Sequence, residues 1–351
     1  MTLFNVPFLP DEQYVEFLVE HVEVLAAVHF PLHPESPFDA RHTAGDWDVA
    51  ELSTHLTPLK GPARYVLLNA RVASSSCYRD TMELRQLAGR LDDLLAVGQL
   101  DGVVIADFFL LEAIGRYAPE IAAGLEAVPS VNCLLSSFDR VQAVVETIAD
   151  SGFRLPGRIP LAPALNRQPR LLRETVVACR QAFPDIRIEL LVNEGCLYQC
   201  PFKLSHDAGI AVNCQGKASW DLPEALGCIA ALRANPARLF KSPFIRPEDL
   251  GHYRQTADLF KICGRTLGPA FLRQTVGSYI NGRHEGNLLD LLDAIEWLSR
   301  ELFIDNSLLP ADFLDTVVAC DKQCAACGIC ENLLRDSRRP HSPRLPDLRK
   351  A

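Results

Sequence analysis

The sequence predicts an α/β protein built as a TIM-like (β/α)8 barrel, regular or irregular, with a Cys-rich extension at its C-terminal end. Three observations lead there. Short apolar runs alternate with segments of helical period, the signature of βαβ units and a parallel sheet. The 351 residues suffice for one large barrel and an extension. No Gly-x-Gly-x-x-Gly follows the first recognisable strand, which weakens the alternative, an open doubly wound sheet around a dinucleotide.

The elements follow in chain order. Arg64 to Ala70 is a short apolar run and predicts a buried strand. Thr81 to Val97 sets Leu84, Leu87, Leu91, Leu94 and Leu95 at helical spacing among charged residues, so it predicts an amphipathic helix. Gly102 to Ala106 predicts a second strand, closed by Asp107, and Phe108 to Tyr117 a helix that ends near Pro119. A third strand over Val128 to Cys133 leads to a helix opened by Ser137, running to about Asp150, with Gly152 past its end. A strand over Ile159 to Pro163, a helix over Gln168 to Phe183 and a strong strand over Ile186 to Val192 come next. Leu239 to Lys241 and Leu259 to Cys263 predict later short strands, with helices from about Pro247 and Pro269. The expected organisation is a barrel over 1–312, a Cys-rich cluster-binding segment over 313–335 and a Pro- and Arg-rich mobile tail over 336–351.

Composition narrows the function. Apolar residues at 48% and charged residues at 23% allow a sizeable core and exclude wholesale disorder. Lys plus Arg is 35 against 44 Asp plus Glu, a net charge of −9. That argues against a chain that coats nucleic acid by charge alone, so a small-molecule substrate is the better expectation. The longest apolar stretch, Leu100 to Ile114, is cut by Asp101, Asp107 and Glu112, so no membrane span is expected. The first residues show no basic start and no apolar segment of a secretion signal, and the expected location is cytoplasmic.

The twelve cysteines are the informative excess. Disulfide frameworks belong to small exported domains, so clustered thiols here point to metal or cluster ligands. One group follows the Ile186–Val192 strand: Cys196, Cys200 and Cys214, with Gly195 freeing the turn and His206 a candidate ligand or proton donor. The loop after a barrel strand lies on the face where active sites are built, and three thiols on one loop suit an iron–sulfur cluster. The second group is Cys320, Cys324, Cys327 and Cys330, spaced C-x3-C-x2-C-x2-C and resembling a ferredoxin-type run in reverse. One of its thiols could complete the first site. Zinc is the alternative occupant of Cys320–Cys330. Cys179 and Cys228 read as core, Cys77 gives no clear signal, and Cys133 and Cys263 read as core at strand ends near the pocket. Lys261 to Arg265 runs a strand into a Gly turn, and Arg265 is placed to hold a carboxylate or phosphate or to pair with a neighbouring acid. Arg246 is a second, weaker cation of that kind. Asn69, Asp107, Asn166 and Arg167 end strands, where polar residues are candidates for function.

With these residues in hand, the order of segments resembles the collagenase-like peptidase family (U-thirty-two family). The matching pieces are Ser36 to Arg41, Tyr65 to Asn69, Leu100 to Asp107, Glu189 to His206 and Phe260 to Arg265. The resemblance covers roughly residues 13 to 300 and is most specific around Cys196–His206 and Lys261–Arg265. It implies a TIM-like barrel and, for relatives that act as oxygen-independent hydroxylases on a quinone precursor or on RNA bases, a [4Fe-4S] cluster held by four Cys. Some of these relatives are thought to use prephenate as oxygen donor. Carried over, Cys196, Cys200 and Cys214 correspond to cluster ligands, and Lys261, Gly264 and Arg265 match the family's Lys-Ile-Glu-Gly-Arg stretch. Cys263 stands where the family has Glu, and no Cys lies in Lys241–Leu250, where the family often has one. The fourth ligand is therefore open.

The resulting expectation is an iron–sulfur enzyme with one or two [4Fe-4S] clusters. It would perform oxygen-independent hydroxylation or a related redox modification, with Arg265, Lys261 and His206 as catalytic candidates. An electron donor protein and a related barrel subunit are the expected partners. A peptidase is one alternative, although no Gly-x-Ser-x-Gly elbow or His-Glu-x-x-His helix is present. A non-catalytic electron-transfer or scaffold subunit is the other.

Overall fold

The computed structural model describes residues 2–216 and 222–340. Eight parallel strands form one sheet that curls into a nearly closed barrel. They are β1 (Phe4–Pro7), β2 (Leu25–Phe30), β3 (Ala63–Leu68), β4 (Gly102–Ile105), β5 (Glu126–Pro129), β6 (Arg158–Pro160), β7 (Arg187–Leu191) and β8 (Leu259–Lys261). The ladder order β5-β4-β3-β2-β1-β8-β7-β6 leaves the seam between β5 and β6. There a single parallel bridge, Glu126 to Arg154, replaces a ladder. Ala127 N donates to Arg154 O at 3.1 Å, and Arg154 N donates to Leu125 O at 2.9 Å. The barrel is thus sealed by a loop where β6 is too short to pair.

The helices on the strand connections are α1 (Glu12–Glu20), α2 (Val49–Leu56), α3 (Met82–Ala96), α4 (Phe108–Tyr117), α5 (Pro119–Gly124), α6 (Phe138–Asp150), α7 (Pro169–Ala182) and α8 (Lys203–Cys214). Beyond them come α9 (Leu222–Leu226), α10 (Cys228–Ala234), α11 (Gly268–Asn281), α12 (Phe313–Ala319), α13 (Cys324–Cys327) and α14 (Ile329–Ser337). Their starts obey capping chemistry: Thr81, Asp107 and Ser137 each accept a hydrogen bond from a backbone N–H of the first turn. Strand residues alternate between two environments. Phe4, Val6, Val28, Phe30, Val66, Leu68, Val103 and Ile105 join the large apolar core. Ala27, Tyr65, Leu67, Val104 and Val128 form a small second cluster.

Several expectations shift. Phe4–Pro7 and Leu25–Phe30 supply two barrel strands that the sequence reading passed over. Asn5 and His29 interrupt their apolar runs. Leu239–Lys241 is not a strand but the end of a 3-10 turn, Pro236–Lys241, because Asn235 caps it and Pro236 starts it. The third predicted strand begins earlier, and Val131–Cys133 is a 3-10 turn capped by Ser130. Ile159–Pro163 also ends early, since Pro163 opens the 3-10 turn Pro163–Arg167. The helix expected from Pro247 is the 3-10 helix Pro247–Tyr253. The single apolar helix expected over Glu224–Leu232 is two short helices that meet at Gly227. The predicted mobile tail starts too early: α14 runs to Ser337, and β10 (Arg338–Arg339) pairs antiparallel with β9 (Phe303–Ile304). Residues 341–351 of that tail lie outside the described residues. No helix among the described residues is long and apolar enough to cross a membrane.

Candidate active site

A polar pocket opens at the C-terminal ends of the strands. His29, Asn69, Lys203, Lys261, Cys263 and Arg265 are among its lining residues. Beneath it lies a buried polar network that joins β1, β3, β5, β6 and β7 and, through His29, β2. Asn5 Nδ2 donates to Glu189 Oε2 at 2.8 Å, and Arg158 Nε lies 3.0 Å from the same oxygen. Glu189 and Arg158 are 0% and 1% exposed, so each charge depends on the other. The Arg158 guanidinium sits 3.8 Å over the Tyr65 ring, and Tyr65 OH donates to Glu126 Oε2 at 2.9 Å.

This network fixes a tautomer. Because Asn5 gives its amide N–H to a carboxylate, its Oδ1 is left to accept from His29 Nδ1 at 2.9 Å. His29 therefore carries its proton on Nδ1 and presents a bare Nε2. Burial, then the charges of Lys261, Arg265 and Arg158, holds this imidazole well below its ordinary pKa, so it stays neutral. Lys261, at the end of β8, is 5% exposed, and its Nζ has no hydrogen bond or ion pair among the described residues. Burial is the largest cause of its lowered pKa. Glu189 and Cys263 oppose the shift; Arg158 and Arg265 add to it.

The rim is a set of ion pairs. Arg265 reaches back to Asp39, donates from Nε to Thr43 Oγ1 at 3.2 Å and from Nη2 to Arg41 O at 2.7 Å. Its Nη1 keeps no protein partner among the described residues. Of the two readings of Arg265, the ion pair with an acid is the one seen, with one nitrogen to spare. Gly264 makes this turn at φ +116°, and a Cβ there would stand 2.2 Å from the Phe271 ring. Arg41 pairs with Asp293 at 3.3 Å. Lys203 lies 2.9 Å from Glu194 and 3.9 Å from Asp207. Burial alone would lower Lys203, but Glu194 and its other neighbours outweigh it and the net shift is upward. Gly195 lets this loop lie against Asp293, accepting no side chain because a Cβ would meet Ile295 Cγ1 at 2.3 Å.

The thiols are dispersed over the site, the core and the C-terminal run. Cys263 lines the pocket instead of the core, and burial pushes its thiol up to about 12. Cys196 and Cys200 line an adjoining cavity that shares Glu194 and Lys203 as its wall. Cys214 ends α8, its Sγ 3.7 Å from Ala40 O. His206, half-buried on α8 beside Asp207, is not among the residues lining either cavity. Cys77, Cys133 and Cys179 are buried in the core, and Cys228 is half-buried.

The C-terminal run curls round a small pocket of its own, lined by Arg167, Lys241, Cys320, Lys322 and Cys330. Lys322 N donates to Cys320 Sγ at 3.3 Å, and Lys241 Nζ donates to Cys324 Sγ at 3.2 Å. The Cys330 thiol is raised by burial first, with Cys320 and Cys324 among the contributing charges. Lys322 Nζ stands 5.2 Å over the ring of Tyr198, between Cys196 and Cys200 in sequence, so the two Cys segments touch. Arg167 is 2% exposed, and its Nε, Nη1 and Nη2 all lack a hydrogen-bond partner. Among the described residues no three His, Cys, Asp or Glu side chains stand in a metal-holding group. Neither Cys196, Cys200 and Cys214 nor the run Cys320, Cys324, Cys327 and Cys330 forms such a group.

Other expected positions are structural. Asp107 caps α4 and accepts from Tyr78 OH at 2.5 Å. Asn166 Nδ2 braces Leu191 O and Pro243 O at 2.9 and 2.8 Å. Arg246 is buried against Asp249 at 2.7 Å. Asn69 lines the pocket and accepts from Ala40 N at 3.0 Å. The sequence reading missed His29, Asn5, Arg158, Asp39 and Lys203. Their one visible signal is a polar residue interrupting an apolar strand, which holds for Asn5 and His29 alone.

Fold and pocket define the class: a parallel α/β barrel protein with a charged site at the C-terminal ends of its strands. No family model matches the sequence. It is 30% identical over 237 residues to an "uncharacterized protease MJ1657" of Methanocaldococcus jannaschii, a match spanning 67% of this chain and 65% of that protein. A solved structure titled "The Structure of the U32 Peptidase Mk0906" is similar at a TM-score of 0.48 and 16% identity, over 75% of this chain and 93% of that one. By its motifs and its similarity to the archaeal protein, about two thirds of whose length it spans, the chain resembles the collagenase-like peptidase family.

Proposed function

We propose that this chain is an iron–sulfur protein that carries out a redox modification, of the oxygen-independent hydroxylation type, on a small anionic substrate in the barrel-mouth pocket. The observation that carries it is Arg167. A buried guanidinium whose three nitrogens find no hydrogen-bond acceptor, with the Phe244 ring 5.1 Å away, is costly unless an acceptor faces it. It lines the pocket that Cys320 and Cys330 share with Lys241 and Lys322. A thiolate-ligated cluster is anionic and rich in sulfur acceptors, so both the donor set and the surrounding cations fit it.

Cys320, Cys324, Cys327 and Cys330 would hold this group. Among the described residues neither these four thiols nor the family-implied set of Cys196, Cys200 and Cys214 stand in a metal-holding group as placed, and what favours the C-terminal run is the cation-lined pocket that Cys320 and Cys330 share with Arg167. When bound, such a cluster would supply single electrons. The chain's own residues bind and orient: Arg265 offers Nη1 to an anionic group, His29 Nε2 accepts a proton, and the ion-paired rim narrows access to water. An electron donor protein and a related barrel subunit are partners consistent with this role.

The peptidase reading draws on the name of the archaeal relative. Against it, the pocket thiol, Cys263, is held protonated by burial, which makes a poor nucleophile. Zinc in the same four thiols is the second occupant to test. Single Cys→Ala variants of the two Cys groups, reconstituted anaerobically with iron and sulfide, separate these readings. Loss of visible absorption and iron in the Cys320, Cys324, Cys327 or Cys330 variants supports the proposal. Zinc retained without sulfide, or no metal in any variant or the wild type, overturns it.

A further inference from the structure

We infer that Lys261 is a nucleophilic amine that captures a small carbonyl compound bearing an anionic group, as an imine, on the floor of the barrel-mouth pocket. The inference rests on reading that pocket as the site of chemistry, and it does not require a cluster.

Two lysines line the pocket in opposite settings. Lys203 has Glu194 at 2.9 Å and Asp207 at 3.9 Å, so it remains an ammonium ion. Lys261 has no such partner. The acid nearest to it in the network, Glu189, is already engaged by Arg158 and Asn5. A buried amine without an ion-pair partner, beside the cations Arg158 and Arg265, favours its neutral form, and the neutral form is the nucleophile. The direction of its pKa agrees. Its place is equally telling. Lys261 ends β8, in register with Asn5 of β1 and Leu191 of β7, so the amine faces the pocket from a rigid element.

The neighbours complete the chemistry. The Lys261 Nζ lone pair attacks the carbonyl carbon, a C–N bond forms and the π pair of C=O moves to oxygen. Two protons leave the nitrogen and join that oxygen, which departs as water and leaves C=N. His29, with its bare Nε2 on the same pocket, is the relay for these protons. No electrons are gained or lost, so no oxidant or reductant enters. Arg265 Nη1 is the donor for the anionic group.

The test uses the full-length chain with pyruvate, or separately with neutral acetaldehyde, in cyanoborohydride, followed by peptide mapping by mass spectrometry. The expected result is labelling of Lys261 at least about tenfold faster than exposed Lys60, because burial without an ion-pair partner favours the neutral, nucleophilic amine. Labelling of Lys261 no faster than Lys60 with either probe overturns the proposal, and this arm needs no variant to fold. Lys261→Arg is expected to abolish the fast adduct. Arg265→Gln is expected to slow the pyruvate adduct while sparing the acetaldehyde adduct; equal effects on both remove the anion-binding part. Because trapping needs no metal, protein that holds iron but forms no adduct sinks this inference alone. Protein that forms the adduct without iron sinks the cluster reading alone.

Discussion

Breaking the Arg158–Glu189 pair tests whether the barrel floor is one interdependent network. The two charges are 3.0 Å apart and 1% and 0% exposed. Arg158→Met leaves a buried carboxylate with only Asn5 Nδ2 for company, and Glu189→Gln leaves a buried guanidinium facing an amide. Each single change is expected to cost about 3–5 kcal/mol, since an uncompensated buried charge bears the full desolvation penalty. The double variant removes both charges together. It is expected to lose only about 2 kcal/mol, the worth of the desolvated cation–π contact with Tyr65. Urea denaturation followed by circular dichroism measures all four corners of this cycle at constant slope. Single variants within about 1 kcal/mol of wild type, or a double variant equal to the sum of the singles, would refute the network.

Two further changes probe the site and its frame. Lys261→Met should stabilise the protein at neutral pH. The unfolded chain, with an ordinary lysine, binds a proton that the folded chain does not hold between the lowered pKa and about 10.4. Wild-type stability should therefore climb with pH across that window, and the variant should lack this component of the slope when stability is measured against pH. Gly195→Ala should cost about 1–3 kcal/mol through overpacking, because the new Cβ falls 2.3 Å from Ile295 Cγ1 and 2.9 Å from Asp293 O. An unchanged melting temperature would show that the loop yields freely.

Much of the barrel was legible where apolar period and capping chemistry agreed. The helix Phe108–Tyr117 starts and ends where Asp107 and Pro119 require. The N-terminal strands were not legible, because Asn5 and His29 break the apolar runs that announce a strand. Those same residues build the polar network beneath the pocket, where packing alone would put Val or Leu. Leu239–Lys241 looked like a strand because three residues carry too little period to outvote the Asn-Pro start before them. Arg265 was legible as a pocket cation, but its partner Asp39 lies 226 positions away in sequence, and no local pattern reports such a pair. Arg167 was legible only as the polar end of a strand. Its orphaned guanidinium beside the Cys320–Cys330 run needed the fold to bring them together.

Iron and acid-labile sulfide, counted per chain in full-length protein purified without oxygen, test the account at its centre. Equimolar iron and sulfide with broad visible absorption, lost together when Cys320, Cys324, Cys327 and Cys330 are all changed to Ala, is the result expected. A chain that carries neither element, or that keeps both after those four changes, would contradict it.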